Sequence, residues 1–270
     1  MSSIGPVRAA GRRCSVRVIE FGNQSATLVT HAERPDLEDQ AQGEDFLSQW
    51  PTFMFHDPVA DEHYPVMYER CPEFQFYIID GAGSLLANGN SIPLAWDGSL
   101  EDLPGGWDEA LVRGSVGAQD GTAPTALCAL QATVSSRCGG RGLGSSLVNA
   151  MKLLAETAAL ESLIAPVRPS LKATYPLIPI DDYLTWRRED GLFFDPWLRV
   201  HERLGASVLA NAAESMELPG SSTDWETWTG LNFSTSGEYI VDGALAPVVF
   251  DADADVGVYI EPNVWMLHRL

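Results

Sequence analysis

The chain has 270 residues, of which 45% are hydrophobic and 20% are charged, and its formal net charge is −20 at pH 7. This is the composition of an ordinary globular protein of one large domain or two small ones. The negative charge argues against nucleic-acid partners and anionic membranes, although a local group of backbone amides can still bind a small anion.

The start of the chain, MSSIGPVRAAGRR, is basic but is not followed by the apolar segment of a secretory signal. No apolar run approaches the roughly 20 residues of a membrane-spanning helix. We therefore expect a cytoplasmic protein with a flexible tail at residues 1–13. Residues 14–21 (CSVRVIEF) alternate polar and apolar positions and predict a half-buried strand.

The next part of the chain predicts a helical region and a β-hairpin. Residues 33–50 are acidic and end in apolar positions, which predicts a helix that Pro51 ends. Residues 73–80 and the run LLANGNSIPLAW flank a glycine-rich turn and predict two paired strands. Residues 97–124 are rich in Asp, Gly and Pro and predict a long excursion with a short helix near WDEALVRG.

The centre of the chain predicts a strand, a glycine-rich turn and a helix. Residues 125–134 (TALCALQATV) form a nearly continuous apolar run, as in a strand covered on both faces. The turn SSRCGGRGLG follows, and then a helix with one apolar face. Residues 161–167 predict another buried strand, and residues 168–194 predict an irregular insertion.

The C-terminal part begins with a well-marked helix. Asp195 is a typical N-cap residue, Pro196 suits the first helical position, and Gly205 marks the end. Residues 206–210 predict a strand, and the following residues predict a helix start at Ser222 and further strands. The order of elements is that of a mixed α/β protein.

The four cysteines are scattered and have no CxxC spacing. They predict reduced thiols in the core or in loops, with neither a disulfide framework nor a zinc site. Their positions are Cys14, Cys71, Cys128 and Cys138.

The turn between Ser136 and Ser145 carries the clearest chemical signal. Its glycines allow close backbone approach, and unpaired amides at the start of the helix suit a pyrophosphate, to which Arg137 and Arg141 could add charge-assisted bonds. A purely structural tight turn is an equally good interpretation of the glycines alone. The turn lacks the Gly-Lys-Ser/Thr end of a P-loop, and the next strand lacks the acidic end of a dinucleotide-binding fold.

Strand, GRGLG turn and helix together resemble motif A of the GCN5-related N-acetyltransferase (GNAT) superfamily, written Gln/Arg-x-x-Gly-x-Gly/Ala. In that family the amides of the turn bind the pyrophosphate of acyl-CoA. The last two motif positions fall on Gly142 and Gly144, whereas the first falls on Gly139, a departure for which Arg137 or Arg141 would supply the charge. The acyl-CoA-binding residues that the resemblance implies are Thr133, Val134, Arg137, Gly139, Gly140, Arg141, Gly142, Leu143, Gly144 and Ser145.

The resemblance implies an α/β (α+β) fold with a mixed central sheet that splays at the acyl-CoA site. It is clearest over residues 73–210, within an acyl-CoA-binding domain at residues 14–210 and a C-terminal extension at residues 211–270 packed on it. The segments SIPLAWDG, FDPWLRVH and YIEPNVWM resemble an uncharacterised bacterial branch of acyltransferase-like proteins.

The resemblance also implies a mechanism. The amide near Thr133 or Val134 would polarise the thioester carbonyl, and an amine or hydroxyl of a small molecule would attack it directly in a ternary complex, without a metal. The segment HERLGA resembles the family's Tyr-x-Lys-x-Gly-Phe element. His201 stands where that tyrosine protonates the CoA thiolate, and a packing role for His201 is an equal alternative.

The residues of the acceptor side stay open. His56 and Asp57 lie in the region of the family's acceptor-side helices, and Asn90 and Ser91 could hydrogen-bond an acceptor. Residues such as His56 and Asp57 are more often solvent-exposed or capping residues than bases, and Asn90 and Ser91 could equally end a strand. Further base candidates flank the hairpin strand at Glu73 and Asp80.

Three other functions fit the same fold. They are decarboxylation of an acyl thioester, a non-catalytic CoA-binding or interaction module, and an aminoacyl-tRNA-dependent transferase, which the net charge of −20 disfavours. The acceptor, the acyl chain and a homodimer are left open by the sequence.

Overall fold

The computed structural model of the protein describes residues 17–21, 24–139 and 142–270. The predicted tail at residues 1–13 and Cys14 lie outside the described residues. The strands are β1 (Arg17–Phe21), β2 (Gln24–Thr30), β3 (Phe76–Ile79), β4 (Leu85–Leu94), β5 (Ala126–Val134), β6 (Ser162–Val167), β7 (Ser207–Gly220), β8 (Gly237–Tyr239), β9 (Val248–Asp251) and β10 (Val256–Arg269). The helices are α1 (Glu38–Ala41), α2 (Glu44–Leu47), α3 (Pro58–Arg70), α4 (Trp107–Asp120), α5 (Leu143–Thr157), α6 (Ile180–Leu184), α7 (Pro196–Arg203) and α8 (Ser222–Thr229).

All of these strands belong to one sheet, in the order β1-β2-β3-β4-β5-β6-β10-β9-β8, with β7 also paired to β10. Strands β1 to β5 form an antiparallel meander. The pair β5 and β6 is parallel, and α5 makes the crossover that such a pair requires. The predicted mixed sheet flanked by helices is therefore confirmed.

The two central parallel strands separate after a short contact. Strand β5 pairs with β6 only at Ala126–Cys128, opposite Ser162–Ile164. Beyond Cys128, β5 continues to Val134 along β4 alone, while β6 continues along β10. A gap thus opens in the middle of the sheet between β5 and the paired strands β6 and β10.

Helices cover both faces of the sheet. On one face α5 packs against β5, and α7 lies beside α5, where the ring of Trp197 approaches Gly144. On the other face α4 packs against β4 and β7, and α3 lies beside α4, with Tyr64 stacked on Trp107 at 5.9 Å. We refer to these as the α5 face and the α4 face.

Three predicted elements need correction. Residues 33–50 form two short helices, α1 and α2, rather than one, because Gly43 interrupts them. The short helix near WDEALVRG is the 14-residue α4. The strand predicted at residues 206–210 continues as β7 to Gly220.

The predicted domain boundary lies within a strand. The boundary predicted after residue 210 falls inside β7, and β10 lies between β6 and β7. Residues 211–270 thus contribute strands to the same sheet as β1 to β6, and the predicted domain division stays a prediction. Across the part of the chain that is described, no helix is long and apolar enough to cross a membrane.

Candidate active site

The gap beside β5 exposes a backbone amide at the C-terminal end of that strand. The Ser135 amide donates to the Leu86 carbonyl on β4 over 2.9 Å. Because successive N–H groups of a strand point to opposite sides, the Val134 amide points away from β4 and into the gap. Of the two amides predicted to polarise a thioester, Thr133 and Val134, only that of Val134 has this direction.

The start of α5 lies at the same end of β5. Gly142 is its N-cap residue and has a φ of 84°, a left-handed conformation that glycine adopts without strain. No described side chain caps this helix. The first-turn amides of a helix have no intrahelical acceptor, so those of Leu143, Gly144 and Ser145 are free to bind an anion.

The preceding part of the turn is less open than predicted. The Cys138 amide donates to the Ser135 carbonyl over 2.8 Å, and the Arg137 amide contacts the Ser135 hydroxyl at 3.4 Å. Within the described part of the turn, the amides of Arg137 and Cys138 are thus occupied, while the first-turn amides of α5 lack an intrahelical acceptor. The predicted residues Gly140 and Arg141 lie outside the described residues.

The side chains around the turn have their own contacts. The exposed Arg137 guanidinium forms an ion pair with Asp45 at 2.7 Å. A Cβ atom on Gly144 would come within 3.0 Å of the Trp197 ring, so this glycine is required for packing between α5 and α7. Gly139 has open space around it, which fits close approach by a ligand.

A chain of polar side chains follows β5 on the α4 face. The Trp50 indole and the Gln131 amide both donate to the Thr133 hydroxyl, at 3.1 and 3.0 Å. The Tyr64 hydroxyl donates to the side-chain oxygen Oε1 of Gln131 over 3.1 Å. The Thr133 side chain thus faces the α4 side of the gap, opposite α5.

Trp107 at the start of α4 bridges the gap on this face. Its indole N–H donates to the Leu130 carbonyl on β5 over 2.9 Å, and its backbone amide donates to the Ser215 hydroxyl on β7 over 2.9 Å. Ser215 in turn donates to the Asn263 side chain on β10 over 2.6 Å. The start of α4 is therefore fixed to β5 on one side of the gap and to β7 and β10 on the other side.

Two carboxyl groups meet beside Trp107. Asp57 caps α3, where its Oδ1 accepts from the amides of Val59 and Ala60 at 2.7 and 3.1 Å. Asp108 Oδ2 accepts from the Glu217 amide over 3.0 Å. The two remaining oxygens, Asp57 Oδ2 and Asp108 Oδ1, are buried without a donor from another residue.

The two carboxyl groups lie close enough for each to act on the pKa of the other. Burial, followed by the charge of Asp57, raises the pKa of Asp108 to about 8, and burial raises the pKa of Asp57. The pair therefore holds one proton at neutral pH. Sequence analysis missed Asp108, because an acidic residue in the first turn of a helix is ordinary.

The other acceptor-side candidates are engaged by the fold. His56 is exposed and stacks on Trp228 at 4.5 Å. The Asn90 amide donates to the Tyr68 hydroxyl over 2.8 Å, and the Ser91 hydroxyl donates to the Phe74 carbonyl over 2.8 Å. Asn90 and Ser91 are thus buried and engaged within the fold, where the pairing of β4 with β5 shifts by one residue at Leu130, rather than facing an open site. The further base candidates also have ordinary settings, exposed for Glu73 and in a turn for Asp80.

His201 lies on α7 with its ring turned into the protein. Its Nδ1 is 3.0 Å from Nε2 of His268, and its ring is 3% exposed. His268 pairs with Leu163, which pairs with Leu127, and Val134 is seven residues further along β5. At about 3.3 Å per residue, the level of His268 in the sheet is therefore about 20 Å, measured along β5, from the amide predicted to hold the thioester.

The setting of His201 also makes it a weak acid. Burial and the neighbouring His268 lower the pKa of His201 to about 3, so its ring is neutral at pH 7. The acid role predicted from the sequence stays a prediction that this geometry does not favour.

Replacing His201 by Gln is expected to change stability more than turnover. Above pH 6.5 the neutral ring stabilises the fold, and this contribution is lost as the pH falls from 6.5 towards 3, because the unfolded chain then binds a proton that the folded chain does not. Between pH 6.5 and 3, His201 should make the free energy of unfolding of the wild-type protein fall by about 1.4 kcal/mol per pH unit. Urea titration at several pH values should show that this contribution is absent from the variant. A loss of kcat of about 100-fold or more at pH 7 would instead support the acid role.

The described residues contain no cluster of three or more His, Cys, Asp or Glu side chains that could hold a metal ion. The described cysteines, Cys71, Cys128 and Cys138, are buried and free.

No family model matches the chain. Among curated proteins, the arginine N-acetyltransferase avaD of Aspergillus versicolor is 31% identical over 275 residues, and the match covers 90% of this chain and 94% of that protein. The bacterial affiliation that the sequence suggested stays a prediction.

Two solved structures are similar over nearly their whole length. The loading GNATL domain of CurA from Lyngbya majuscula has a TM-score of 0.55 at 15% identity, covering 90% of this chain and 97% of that domain. The GphF GNAT-like decarboxylase in complex with isobutyryl-CoA has a TM-score of 0.54 at 15% identity, covering 90% and 98%. At this identity, the similarity concerns the fold alone.

Proposed function

Since this chain belongs to the GCN5-related N-acetyltransferase superfamily and is an acyltransferase, we propose that it transfers an acyl group from acyl-CoA to a nitrogen atom of a small cationic acceptor such as arginine. The observation that carries the proposal is the early separation of β5 from β6, with the Val134 amide directed into the gap and the uncapped start of α5 at the same end.

The parts of acyl-CoA fit the gap in a definite order. The pyrophosphate lies against the first-turn amides of α5, where the helix end carries a partial positive charge. The pantetheine arm runs along the edge of β5 that β6 leaves unpaired. This arrangement brings the thioester carbonyl to the Val134 amide, which donates a hydrogen bond to the oxygen as negative charge develops there.

The acceptor enters from the α4 face, where the polar side chains of Tyr64, Gln131 and Thr133 follow β5. Its neutral amine attacks the thioester carbon, the C–N bond forms, and the C–S bond breaks to release the CoA thiolate. The proton that the attacking nitrogen loses passes through water to the solvent. A thiol with a pKa of about 8.5 is a good leaving group near neutral pH, so the step does not depend on an acid at the position of His201.

A cationic acceptor is supported by two features. The relative with 31% identity is named as an arginine N-acetyltransferase. The chain itself carries a net charge of −20, and three acidic residues, Asp57, Asp108 and Glu217, lie close together at the starts of α3 and α4 and on β7. Such a field attracts cations and raises their local concentration near the site.

The full chain, incubated with acetyl-CoA and L-arginine, is expected to release the CoA thiol and to yield acetylated arginine. A thiol reagent measures the first product, and mass spectrometry identifies the second. Acetyl-CoA without an acceptor and malonyl-CoA without an acceptor are the controls. Loss of carbon dioxide from malonyl-CoA would support the decarboxylase, and failure of acetyl-CoA to bind in calorimetry would contradict the proposed function.

A further inference from the structure

On the basis of the proposed function, we infer that Asp57 and Asp108 together form the subsite for a guanidinium group of the acceptor. The two carboxyl groups belong to the starts of α3 and α4, and each keeps one oxygen for the fold. The oxygens left over, Asp57 Oδ2 and Asp108 Oδ1, are buried and have no donor from another residue.

The strand pairing places this pair beside the reaction centre. Leu127, Leu163 and His268 lie opposite one another on β5, β6 and β10. Val134 on β5 and Glu261 on β10 are each seven residues from that level, in the same direction. Glu261 pairs with Met216, the neighbour of Glu217, whose amide binds Asp108, so the pair lies within about one residue of the level of the Val134 amide across the gap.

Among the described residues, the charged groups that act on the pair are all acidic. Besides burial, Asp61 on α3 raises the pKa of Asp57, and Glu217 on β7 raises the pKa of Asp108. The charge of Asp57 also contributes to raising the pKa of the buried Tyr64 on α3. Asp57 is only 1% exposed. Buried carboxylates that lack a cation are costly, so one proton is retained until a cation replaces it.

A guanidinium group suits these two oxygens better than an ammonium group does. Its planar fork presents N–H donors that can bind two acceptor oxygens at once, and it remains charged at any physiological pH. Asp108 is partly exposed whereas Asp57 is buried, so a guanidinium group would reach the pair from the side of Asp108. On binding, the guanidinium keeps its proton, the proton held by Asp108 goes to solvent, and two carboxylates then face one cation.

Calorimetry with L-arginine and L-citrulline tests the inference, because citrulline is a neutral isostere of arginine. Wild-type protein at pH 7 should bind arginine at least about 10-fold more tightly than citrulline. Measurements in buffers of different ionisation enthalpy should show release of about one proton on arginine binding, because the pKa of Asp108 is about 8.

The variant Asp108→Asn keeps an oxygen for the Glu217 amide but removes the proton that Asp108 holds. Its preference for arginine should fall to within about 3-fold and its proton release should disappear, with acetyl-CoA affinity unchanged. Glu62→Gln, an exposed change on α3, is the matched control and should behave as wild type. Equal wild-type affinity for arginine and citrulline, or an Asp108→Asn protein that keeps both properties, would overturn the inference.

These outcomes separate the subsite from the proposed function. Acetyl-CoA binding together with acceptor-dependent CoA release, but without discrimination between arginine and citrulline, removes only the guanidinium subsite. Absence of acetyl-CoA binding removes the proposed function itself. The wild-type measurement needs no variant, so a folding defect in Asp108→Asn leaves the inference testable.

Discussion

Replacing Val134 by Pro is expected to lower kcat for acyl transfer by about 100- to 1,000-fold while the protein remains folded. Proline removes the N–H group that points into the gap, and with it the donor to the developing oxyanion. The loss should appear in kcat rather than in the affinity for acyl-CoA, because the hydrogen bond strengthens as charge builds up in the transition state.

The fold is expected to tolerate this proline for a specific reason. The Val134 amide makes no hydrogen bond to β4, since the neighbouring Ser135 amide takes that direction. Proline is accepted in strands where its nitrogen faces an unpaired edge, and the extended conformation of Thr133 suits a residue before proline. Circular dichroism and the melting temperature would verify the folded state.

Ala132→Pro is the matched control for Val134→Pro. By the same alternation its amide also faces the gap, but two residues further from the proposed thioester position. This variant should raise KM for acyl-CoA and keep kcat within about 10-fold of wild type. Equal losses of kcat in the two variants, or none in Val134→Pro, would contradict the oxyanion role.

The elements nearest the gap were the most predictable from sequence. Strand β5 is a continuous apolar run because helices cover it on both faces, and α5 carries apolar residues on one side only. Strand β7 was predicted too short, because much of its length is exposed and carries no clear alternation. The position of β10 between β6 and β7 is a long-range pairing that no local pattern reveals.

The site was predicted in part for similar reasons. Glycines mark the turn before α5, so the proposed pyrophosphate site and the Val134 amide could be placed from the motif alone. The likeness of HERLGA to a family element placed His201 correctly on α7 but not its orientation, which depends on His268 from the end of the chain. Asp57 was recognised as a candidate, whereas its partner Asp108 depends on packing between α3, α4 and β7.

The far side of the gap contains a buried ion pair whose disruption should strongly affect stability. Arg168 at the end of β6 donates from Nε to both oxygens of Glu261 on β10, at 3.1 and 2.9 Å, and from Nη2 to the Gly243 carbonyl. Glu261, which is 1% exposed, also accepts from Tyr259 and Asn263. The pair therefore fixes β6 to β10 where both have separated from β5.

Arg168→Leu is expected to destabilise the protein by about 3–5 kcal/mol, because it leaves the Glu261 carboxylate buried without a cation. The double variant Arg168→Leu with Glu261→Gln should recover most of that loss, since a neutral amide oxygen can still accept from Tyr259. Urea unfolding of both single variants and the double variant gives the coupling energy. The control is Arg137→Leu, whose pair with Asp45 is exposed and should be worth less than about 1 kcal/mol. If the loss of unfolding free energy in the double variant equals the sum of the losses in the two single variants, the two charges do not depend on each other.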